Sequence, residues 1–395
     1  MHVLIARGGL GGLAAGLALL ERGFDVTILE QAPDLKEVGA GVQLGPNCTR
    51  ILFALGLEAD VMAKASETDG KEIRLWNTGQ TWPLFDPGAV SRERYGFPYL
   101  TMHRAHLLAA LAAGVRRRNA DAIVLGAKVK GIEQQGDRVT ISTVDGRTFS
   151  VDVAVGADGV HSVVRGELFG AGKAQYSGIV AWRGVMDADL LPAHLRKPAA
   201  VNWVGPGAHV VHYPLDGGKL VNMVAAVEKA TWPIESWTER GTVEEALADF
   251  NDWHEDIQTM IKSLQVPFKW ALIVREPMPQ WSRGRITLLG DACHPTLPFL
   301  AQGAGMAIED GYVLARALEA HAINPEAALQ RYEAARLERT ARVVNGSAAN
   351  AKRFHNTALA HADGAADYVS REWTEEKISE RYGWLFQYKA DEVEI

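Results

Sequence analysis

The sequence predicts a mixed α/β (α+β) protein with two interleaved domains and a C-terminal helical region. A short buried strand, a glycine-rich turn and a helix open the chain, and two more apolar strands ending in glycine–aspartate turns occur much later. Between them, the segment from Tyr176 to Trp270 alternates apolar and polar residues, as antiparallel strands with one covered face do. The parallel-sheet domain must therefore be assembled from separated segments.

Composition narrows the class of protein. The 395 residues carry 41 Lys+Arg and 48 Asp+Glu, a net charge of −7. A mildly acidic chain without clustered basic residues does not suit nucleic-acid binding. The two cysteines, Cys48 and Cys293, exclude a disulfide framework and a Cys-based zinc site and suit a reducing compartment. No window holds the roughly 20 apolar residues of a membrane span, so we expect a cytoplasmic protein that binds no metal, membrane or nucleic acid.

The first thirty residues follow a strand–turn–helix–strand pattern. His2–Ala6 is typical of a buried strand, and glycines follow it at positions 8, 9, 11 and 12. We expect a helix over Leu13–Arg22 and a second strand over Phe24–Leu29, with Glu30 at its end. This is a Rossmann-like βαβ unit: small residues let the backbone approach a pyrophosphate, the helix N-terminus stabilises its charge, and the acid accepts hydrogen bonds from a ribose.

The glycine turn departs from the G-x-G-x-x-G spacing at one position. Gly9 and Gly12 occupy the second and third glycine positions, but Arg7 occupies the first, where the tight turn lies. Arg7 either reaches the pyrophosphate or strains the turn and weakens cofactor retention. The sequence leaves both outcomes open.

Two later motifs place carboxylates on glycine turns. Asp158 lies in the turn after the apolar strand Val153–Val155, and Asp291 lies in the turn after a strand predicted over Arg285–Leu289. Ligands of parallel α/β sheets bind beyond these strand ends. A helix is predicted to begin near Gly303, and its N–H groups would favour negative charge beyond Asp291.

Together these segments resemble the class A FAD-dependent aromatic hydroxylases, which are flavoprotein monooxygenases. The resemblance covers nearly the whole chain and points to the group of salicylate 1-hydroxylase, 3-hydroxybenzoate 6-hydroxylase and 6-hydroxynicotinate 3-monooxygenase. The matching segments are the N-terminal βαβ unit, Glu30–Ala32, Gly39–Asn47, His103–Arg104, Gly156–Arg165 and Gly290–Asp310.

The resemblance implies that FAD is the cofactor and that NADH or NADPH binds transiently as its reductant. It implies that Glu30 holds the adenosine ribose, Arg104 lies near the phosphates and Asp291 binds the ribityl chain. It also implies that Asp158 serves both FAD and the reductant. Separately, the sequence shows no second dinucleotide unit, so we expect the reductant to bind transiently over the same flavin. The predicted FAD contacts are Gly9, Gly12, Glu30, Val42, Gln43, Arg104, Asp158, Asp291, Gly303 and Ala304, with Val42 and Gln43 beside the isoalloxazine ring.

The predicted strand Ala208–Pro214 supplies the candidate catalytic residues. Strand alternation puts His209 and Tyr213 on one face and His212, a structural or surface histidine, on the other. We expect His209 to act as the base or orienter of a hydroxylated ring and Tyr213 to bond the substrate, because a phenolate is a better nucleophile than a phenol. Pro295 is expected to contribute backbone over the flavin.

The resemblance also implies the reaction. Reduced flavin captures O2 as a C4a-hydroperoxide, which hydroxylates a small aromatic acid in a pocket that apolar residues 297–300 keep dry. Pro298 stands where the 3-hydroxybenzoate enzymes have glutamine, and Phe299 stands where the 6-hydroxynicotinate enzymes have histidine. Both differences favour salicylate as the substrate, converted to catechol with decarboxylation.

Arg183 is either a carboxylate anchor or structural. A non-hydroxylating NADH oxidase and a flavin-binding sensor stay open, as do the acid, the ring position and the choice of reductant.

The predicted domains interleave along the chain. An aromatic-rich tail is expected to dock on the body or on a second subunit, which makes a homodimer one expectation. The bounds are 1–75, 99–170 and 275–355 for the FAD-binding domain, 76–98 and 171–274 for the substrate-binding domain, and 356–395 for the C-terminal helical tail.

Overall fold

A computed structural model describes residues 1–35, 40–85, 87–170, 172, 174–231 and 239–395. Its strands follow one another along the chain from the N-terminus to the last third. They are β1 His2–Ala6, β2 Asp25–Leu29, β3 Gly41–Leu44, β4 Ser66–Glu67, β5 Gly70–Leu75, β6 Thr81–Phe85, β7 Leu100–His103, β8 Ile123–Val124, β9 Val129–Gln135, β10 Arg138–Thr143, β11 Thr148–Val151, β12 Val153–Gly156, β13 Gln175–Asp187, β14 Ala199–Gly205, β15 Ala208–Leu215, β16 Leu220–Glu228, β17 Glu239–Arg240, β18 Phe268–Val274 and β19 Ile286–Leu288.

The helices are distributed along the chain, and the two longest, α9 and α10, lie in its last third. They are α1 Leu10–Leu20, α2 Pro46–Ala54, α3 Glu58–Met62, α4 Pro87–Tyr95, α5 Arg104–Arg118, α6 Val163–Phe169, α7 Val243–Asp249, α8 Glu255–Lys262, α9 Gly303–Ala320, α10 Pro325–Phe354, α11 Ala362–Glu372, α12 Glu375–Ile378 and α13 Trp384–Phe386. Short 3₁₀ turns lie at Gly290–Ala292 and Pro298–Leu300. Within the described ranges, no helix combines the length and apolar character needed to cross a membrane.

The parallel sheet has the strand order β19-β12-β1-β2-β8. Helices α1 and α9 pack together against it. Residues Val3–Ala6 of β1 and all of β12 are buried, which explains the small and aliphatic residues of these two strands. The predicted strands after the N-terminus, before Asp158 and before Asp291 are therefore neighbours in one sheet. The mixed α/β fold class is confirmed.

Helix α1 begins at Leu10, three residues before the predicted start. Glycines 11 and 12 lie inside its first turn, although glycine is a weak helix former. A Cβ on Gly11 would lie 2.8 Å from the Leu289 side chain, and one on Gly12 would collide with the Arg7 carbonyl oxygen. The close packing of α1 against the sheet thus outweighs the low helix propensity of these glycines, and the helix begins earlier than predicted.

A second, eight-stranded sheet has the order β17-β18-β13-β16-β15-β14-β5-β6. Its strands pair antiparallel except β14 and β5, which are parallel. Helices α7 and α8 cover one face, and the opposite face looks toward α10 and the C-terminal helices. Strand β5 (Gly70–Leu75) lies in this sheet although the predicted boundary placed it with the first domain; the domain bounds otherwise stay a prediction.

The C-terminal segment packs on the body of its own chain. Trp373, Tyr382 and Leu385 are buried together with Phe354 at the end of α10. Asn324 caps α10 through its side chain and Pro325 occupies the first turn, as the sequence predicts. Docking of the aromatic tail within the chain accounts for its composition, and the homodimer stays a prediction.

Candidate active site

The three glycine turns meet at one edge of the parallel sheet. They follow β1, β12 and β19, which are adjacent and parallel, so their C-terminal ends lie side by side. Buried Arg165 joins two of these turns: its guanidinium donates to the Val160 oxygen at 2.6 Å and the Ala292 oxygen at 2.8 Å. The sequence motifs, more than 100 residues apart, thus form one cleft.

The first turn leaves an open cradle at the N-terminus of α1. Gly9 is the N-cap and no side chain caps the helix, so its first N–H groups are available to a ligand. A Cβ on Gly9 would meet no atom of the described residues within 4 Å, so their packing does not require glycine there. Glu30 lies beside the turn, and its carboxylate accepts hydrogen bonds from the N–H groups of Gly8 (3.0 Å) and Ala32 (2.9 Å).

Arg7 adopts a backbone conformation that favours glycine. Its φ is +89°, in the left-handed region where a Cβ is strained. Its exposed guanidinium donates to the Asp158 main-chain oxygen at 3.3 Å. The structure therefore shows strain at the turn together with a cation over the cleft, so both predicted effects of Arg7 have a physical basis.

Asp291 and Arg104 lie on the same cleft. Both side chains are exposed there. The surrounding protein desolvates the Asp291 carboxyl and raises its pKa, while His294, Arg104 and Arg7 act in the opposite direction. Two arginines and one carboxylate thus share the space beyond the strand ends, an arrangement that suits a ligand carrying phosphate groups at one end.

The Asp158 carboxylate accepts hydrogen bonds from residues of its own turn. It accepts the Ser162 hydroxyl and the N–H groups of Val163 (2.7 Å) and Val164 (3.2 Å) at the start of α6. A carboxylate at a helix N-terminus satisfies otherwise orphaned donors. Asp158 therefore builds the second turn, and its contact with a cofactor stays a prediction.

Beneath the third turn lies a buried ionic cluster, formed by His294, Glu309, Asp310, Arg336 and Arg339. One Asp310 oxygen accepts the Gly290 N–H at 2.9 Å and bonds His294 Nε2 at 2.6 Å; the other accepts Arg336 Nε at 2.8 Å. Burial acts to raise the pKa of Asp310, but His294 and Arg336 lower it to about 2. His294 is thus held inside the structure, and buried Pro295 follows it.

The second carboxylate of the cluster ties three helices together. Glu309 of α9 receives Arg339 of α10 at 2.7 and 2.8 Å and Arg336 at 2.7 Å. Asn47 of α2 donates to the same carboxylate at 2.6 Å and to Gln302 at 3.0 Å. The cluster fixes the start of α9, where no side chain caps Gly303 and Ala304 and the helix N-terminus faces the cleft.

Strand β3 carries Val42 and Gln43 and touches the antiparallel sheet. Gln43 accepts the Tyr99 hydroxyl at 2.8 Å, and the Gly41 N–H donates to Asn222 Oδ1 at 2.7 Å. A Cβ on Gly41 would lie 2.6 Å from the Tyr213 ring, so only glycine fits. Gly39, part of the family-like segment, lies outside the described residues.

A hollow opens on the sheet face opposite α7 and α8. On β15, His209 and Tyr213 are buried, whereas Val211 between them is only partly buried. Val224, the register partner of Val211 on β16, is also partly buried, although both lie at the centre of an eight-stranded sheet. The hollow therefore lies above Val211 and Val224. The predicted alternation is confirmed, with His212 buried on the other face.

The two ends of the hollow contact β3 and the loop before α9, which also border the cleft. Tyr213 packs on Gly41 of β3, and the His209 ring packs edge-on against Phe299 with centroids 4.7 Å apart. Phe299 belongs to the loop between Pro295 and α9, in which Leu297 and Leu300 are also buried and Pro298 is exposed. The structure thus brings His209, Tyr213 and the residues around the predicted flavin ring together.

The polar groups at the hollow are held neutral by burial. Burial lowers the pKa of His209 well below its usual value, and His355 adds to this effect. Burial also raises the pKa of Tyr213, with a smaller contribution from Tyr99. A neutral imidazole is a proton acceptor, and a neutral phenol is a hydrogen-bond donor.

Sequence reasoning missed two buried asparagines at the hollow. Asn202 is the register partner of Val211, and Asn222 is the partner of Tyr213. Both side chains are buried, yet Asn202 Oδ1 and Asn222 Nδ2 have no hydrogen-bond partner among the residues that the structure describes. Buried amide atoms normally find partners, so these point to a polar ligand. Only strand register, which the sequence does not specify, would have revealed them.

Comparison with known proteins agrees with this geometry. Residues 1–347 match a protein family described as an FAD binding domain. The chain is 36% identical over 397 residues to 3-amino-4-hydroxybenzoate 2-monooxygenase PtnB3 of Streptomyces platensis, covering 99% of this chain and 97% of that one. It is 37% identical over 394 residues to 3-hydroxybenzoate 6-hydroxylase of Polaromonas naphthalenivorans (strain CJ2), covering 99% and 96%. A solved salicylate hydroxylase substrate complex superimposes with a TM-score of 0.81 at 26% identity, covering 99% of this chain and 96% of the other.

The fold and the site therefore define a flavoprotein of the FAD-binding monooxygenase class. The chain belongs to the family of FAD-dependent aromatic hydroxylases, and it is an FAD-dependent aromatic monooxygenase.

Proposed function

We propose that this enzyme hydroxylates a small hydroxylated aromatic acid with O2 and NAD(P)H, and that salicylate, converted to catechol with loss of its carboxylate, is its substrate. The observation that carries this proposal is the polar hollow above Val211 and Val224. It is bounded by β3 at one end and by the Leu297–Leu300 loop at the other. An aromatic ring over two valines, with polar groups at its edges, matches this lining.

The cleft residues fit FAD as the bound cofactor. The open cradle at Gly9, the adjacent carboxylate of Glu30 and the arginines at positions 7 and 104 suit an adenosine diphosphate moiety. Asp291, the start of α9 at Gly303 and Ala304, and strand β3 with Val42 and Gln43 would hold the flavin half. FAD supplies the electron-transfer and oxygen-activating chemistry when bound.

The residues of the hollow would prepare the substrate. Neutral His209 would accept the phenol proton of the substrate, and Tyr213 would donate a hydrogen bond from the opposite end. These residues are four positions apart on a strand, about 13 Å between Cα atoms, which leaves room for one ring between their side chains. Leu297 and Phe299 would exclude water from the reacting atoms, and Pro295 would contribute backbone beside the cofactor.

The loop composition supports salicylate over its competitors. Pro298 is exposed on the loop and Phe299 lies against His209, so neither position supplies a hydrogen-bonding side chain. The resemblance assigns glutamine and histidine to these positions in the 3-hydroxybenzoate and 6-hydroxynicotinate enzymes. Those two acids are the alternative substrates. The single βαβ cleft in the described part of the chain supports NAD(P)H as a reductant that binds transiently.

The test measures NADH and NADPH oxidation by FAD-loaded protein with salicylate, 3-hydroxybenzoate or 6-hydroxynicotinate, and identifies the products by mass. We expect salicylate to stimulate oxidation and to yield catechol. Another hydroxylated product would move the substrate assignment within the family. Stimulated oxidation with hydrogen peroxide as the only product would instead indicate an oxidase.

A further inference from the structure

A buried chain of hydrogen bonds leads from the candidate base to solvent. His209 Nδ1 lies 2.7 Å from His355 Nε2, and His355 Nδ1 lies 2.9 Å from Glu228 Oε1. Both histidines are buried, whereas the Glu228 side chain is 57% exposed. The three residues come from β15, the end of α10 and β16, and neither His355 nor Glu228 belongs to a sequence motif.

The main chain holds this arrangement in place. The Gly207 N–H donates to the His355 oxygen at 3.2 Å, and the Glu228 N–H donates to the Gly207 oxygen at 2.9 Å. Phe299 and Phe354 pack on the His209 ring. Because the rings are held on several sides, the two imidazole contacts have a defined geometry.

The carboxylate sets the tautomer of both rings. An ionised Glu228 only accepts, so His355 Nδ1 must carry the proton that lies between them. His355 Nε2 is then an acceptor, and His209 Nδ1 must donate to it. His209 is thereby left with an unprotonated Nε2 on the other edge of its ring, which is the form that a base requires.

We propose that His355 and Glu228 are positioning residues that fix His209 as a base and carry the substrate proton to solvent. This inference rests on the proposed function. The phenol O–H proton moves to His209 Nε2 as Nδ1–H of the same ring moves to His355 Nε2, and Nδ1–H of His355 moves to Glu228. Each imidazole stays neutral, the proton reaches an exposed carboxylate, and no electrons are transferred.

The charged group that faces His355 among the described residues is Glu228. Burial lowers the pKa of His355 while Glu228 raises it, and burial, together with His355, lowers the pKa of His209. Lys229, the next residue, is engaged with Asp249 at 2.8 Å on the face covered by α7. The apolar contacts of His209 come from Phe299 and Phe354.

The first experiment reads the tautomers directly, without substrate, from ¹⁵N NMR of histidine-labelled holoprotein. We expect Nδ1–H and unprotonated Nε2 for both rings in the wild type, and mixed tautomers of His209 in His355→Phe. Wild-type rings protonated on Nε2 would overturn the proposal. Because this readout needs no turnover, it is independent of the substrate assignment.

The second experiment follows ionisation of the bound phenol by difference spectroscopy across pH, together with the pH profile of hydroxylation. We expect Glu228→Gln and His355→Phe to raise the apparent pKa of the bound phenol by about one unit, a roughly tenfold loss of hydroxylation at lower pH. Flavin reduction by NADH should be unchanged. Glu276→Gln, which changes an exposed glutamate just after β18, is the control.

Unchanged profiles in both variants, in a wild type that hydroxylates its substrate, would overturn the relay and leave the proposed function standing. A wild type that shows the expected tautomers but hydroxylates none of the acids would overturn the proposed function, while the tautomer assignment would stand. The two failures are therefore distinguishable.

Discussion

The molecule buries polar groups in two regions with opposite properties. In the ionic cluster under the third glycine turn, each buried charge lies within 2.8 Å of an opposite charge. Around the hollow, His209, Tyr213, Asn202 and Asn222 are equally buried, but Asn202 Oδ1 and Asn222 Nδ2 find no hydrogen-bond partner within the described part of the chain. Pairing keeps the carboxylates of the cluster ionised, whereas burial keeps the groups at the hollow neutral.

This difference separates scaffold from binding site. A charge that has its partner inside the protein has no need of a ligand and resists rearrangement. A buried polar atom without a partner is destabilising until a ligand supplies the missing hydrogen bond. We therefore expect substitutions in the cluster to reduce stability and substitutions at the hollow to change activity.

The largest effect is expected in the ionic cluster. Arg336→Met leaves Glu309 and Asp310 with fewer counter-charges and should lower the free energy of unfolding by about 3–5 kcal/mol, measured by urea denaturation. The control is Arg342→Met on the same helix, whose exposed guanidinium lies 3.9 Å from the Trp384 ring centroid. An equal, small effect of both substitutions would contradict the distinction between the two regions.

At the hollow, His209→Ala should slow hydroxylation by about 100-fold, because the proton acceptor is lost. FAD retention, measured by flavin absorbance after gel filtration, should be unchanged. His212→Ala removes a buried histidine from the opposite face of the same strand and should spare the chemical step. Unaltered product formation in His209→Ala would remove this residue from the mechanism.

The two classes of buried amide can be compared directly. Asn202→Leu replaces a side chain whose Oδ1 has no partner among the described residues, so the free energy of unfolding should not fall. KM for the acid should rise about tenfold. Asn350 is equally buried but bonds Phe299, Tyr382 and Arg353. Asn350→Leu should therefore destabilise the protein by at least about 1 kcal/mol. Equal destabilisation by both substitutions would contradict the distinction between partnered and unpartnered buried amides.

Lys71 extends the hollow with a cation whose charge depends on pH. It shares a sheet row with Ala200, the neighbour of Tyr213, and burial lowers its pKa to about 8. Because the unfolded chain binds this proton more tightly, the free energy of unfolding should rise with pH above about 8.

If Lys71 anchors the substrate carboxylate, the affinity for the substrate should fall through the same pH range, and Lys71→Met should lose this pH dependence. A wild-type affinity that does not change across this pH range but falls in Arg183→Met would instead assign the anchor to Arg183, whose guanidinium stays charged and which is only partly buried over the Trp270 ring.

The smallest effect concerns the strained first turn. Arg7→Gly should raise the melting temperature, since relief of a left-handed backbone contributes about 1 kcal/mol. Arg7→Lys keeps both the charge and the strain and is the matched control. Higher FAD occupancy in Arg7→Gly alone would show that strain dominates, whereas lower occupancy would show that the guanidinium holds the cofactor.

The sequence by itself determined the parts of the molecule whose signal is local. Strand β1, the glycine turn and Glu30 lie within thirty residues, and the turns around Asp158 and Asp291 each follow an apolar strand directly. Alternation on β15 placed His209 and Tyr213 on one face. The mixed α/β fold and the monooxygenase family could therefore be predicted from short motifs.

Only the tertiary structure decided which distant residues meet. Asn202 and Asn222 reach the hollow through strand register, and His355 reaches His209 because α10 ends beside the turn between β14 and β15. The start of α1 at Leu10 also depended on close packing rather than on helix propensity. Local patterns specify elements, but pairing, burial and missing partners arise only once those elements are packed against one another.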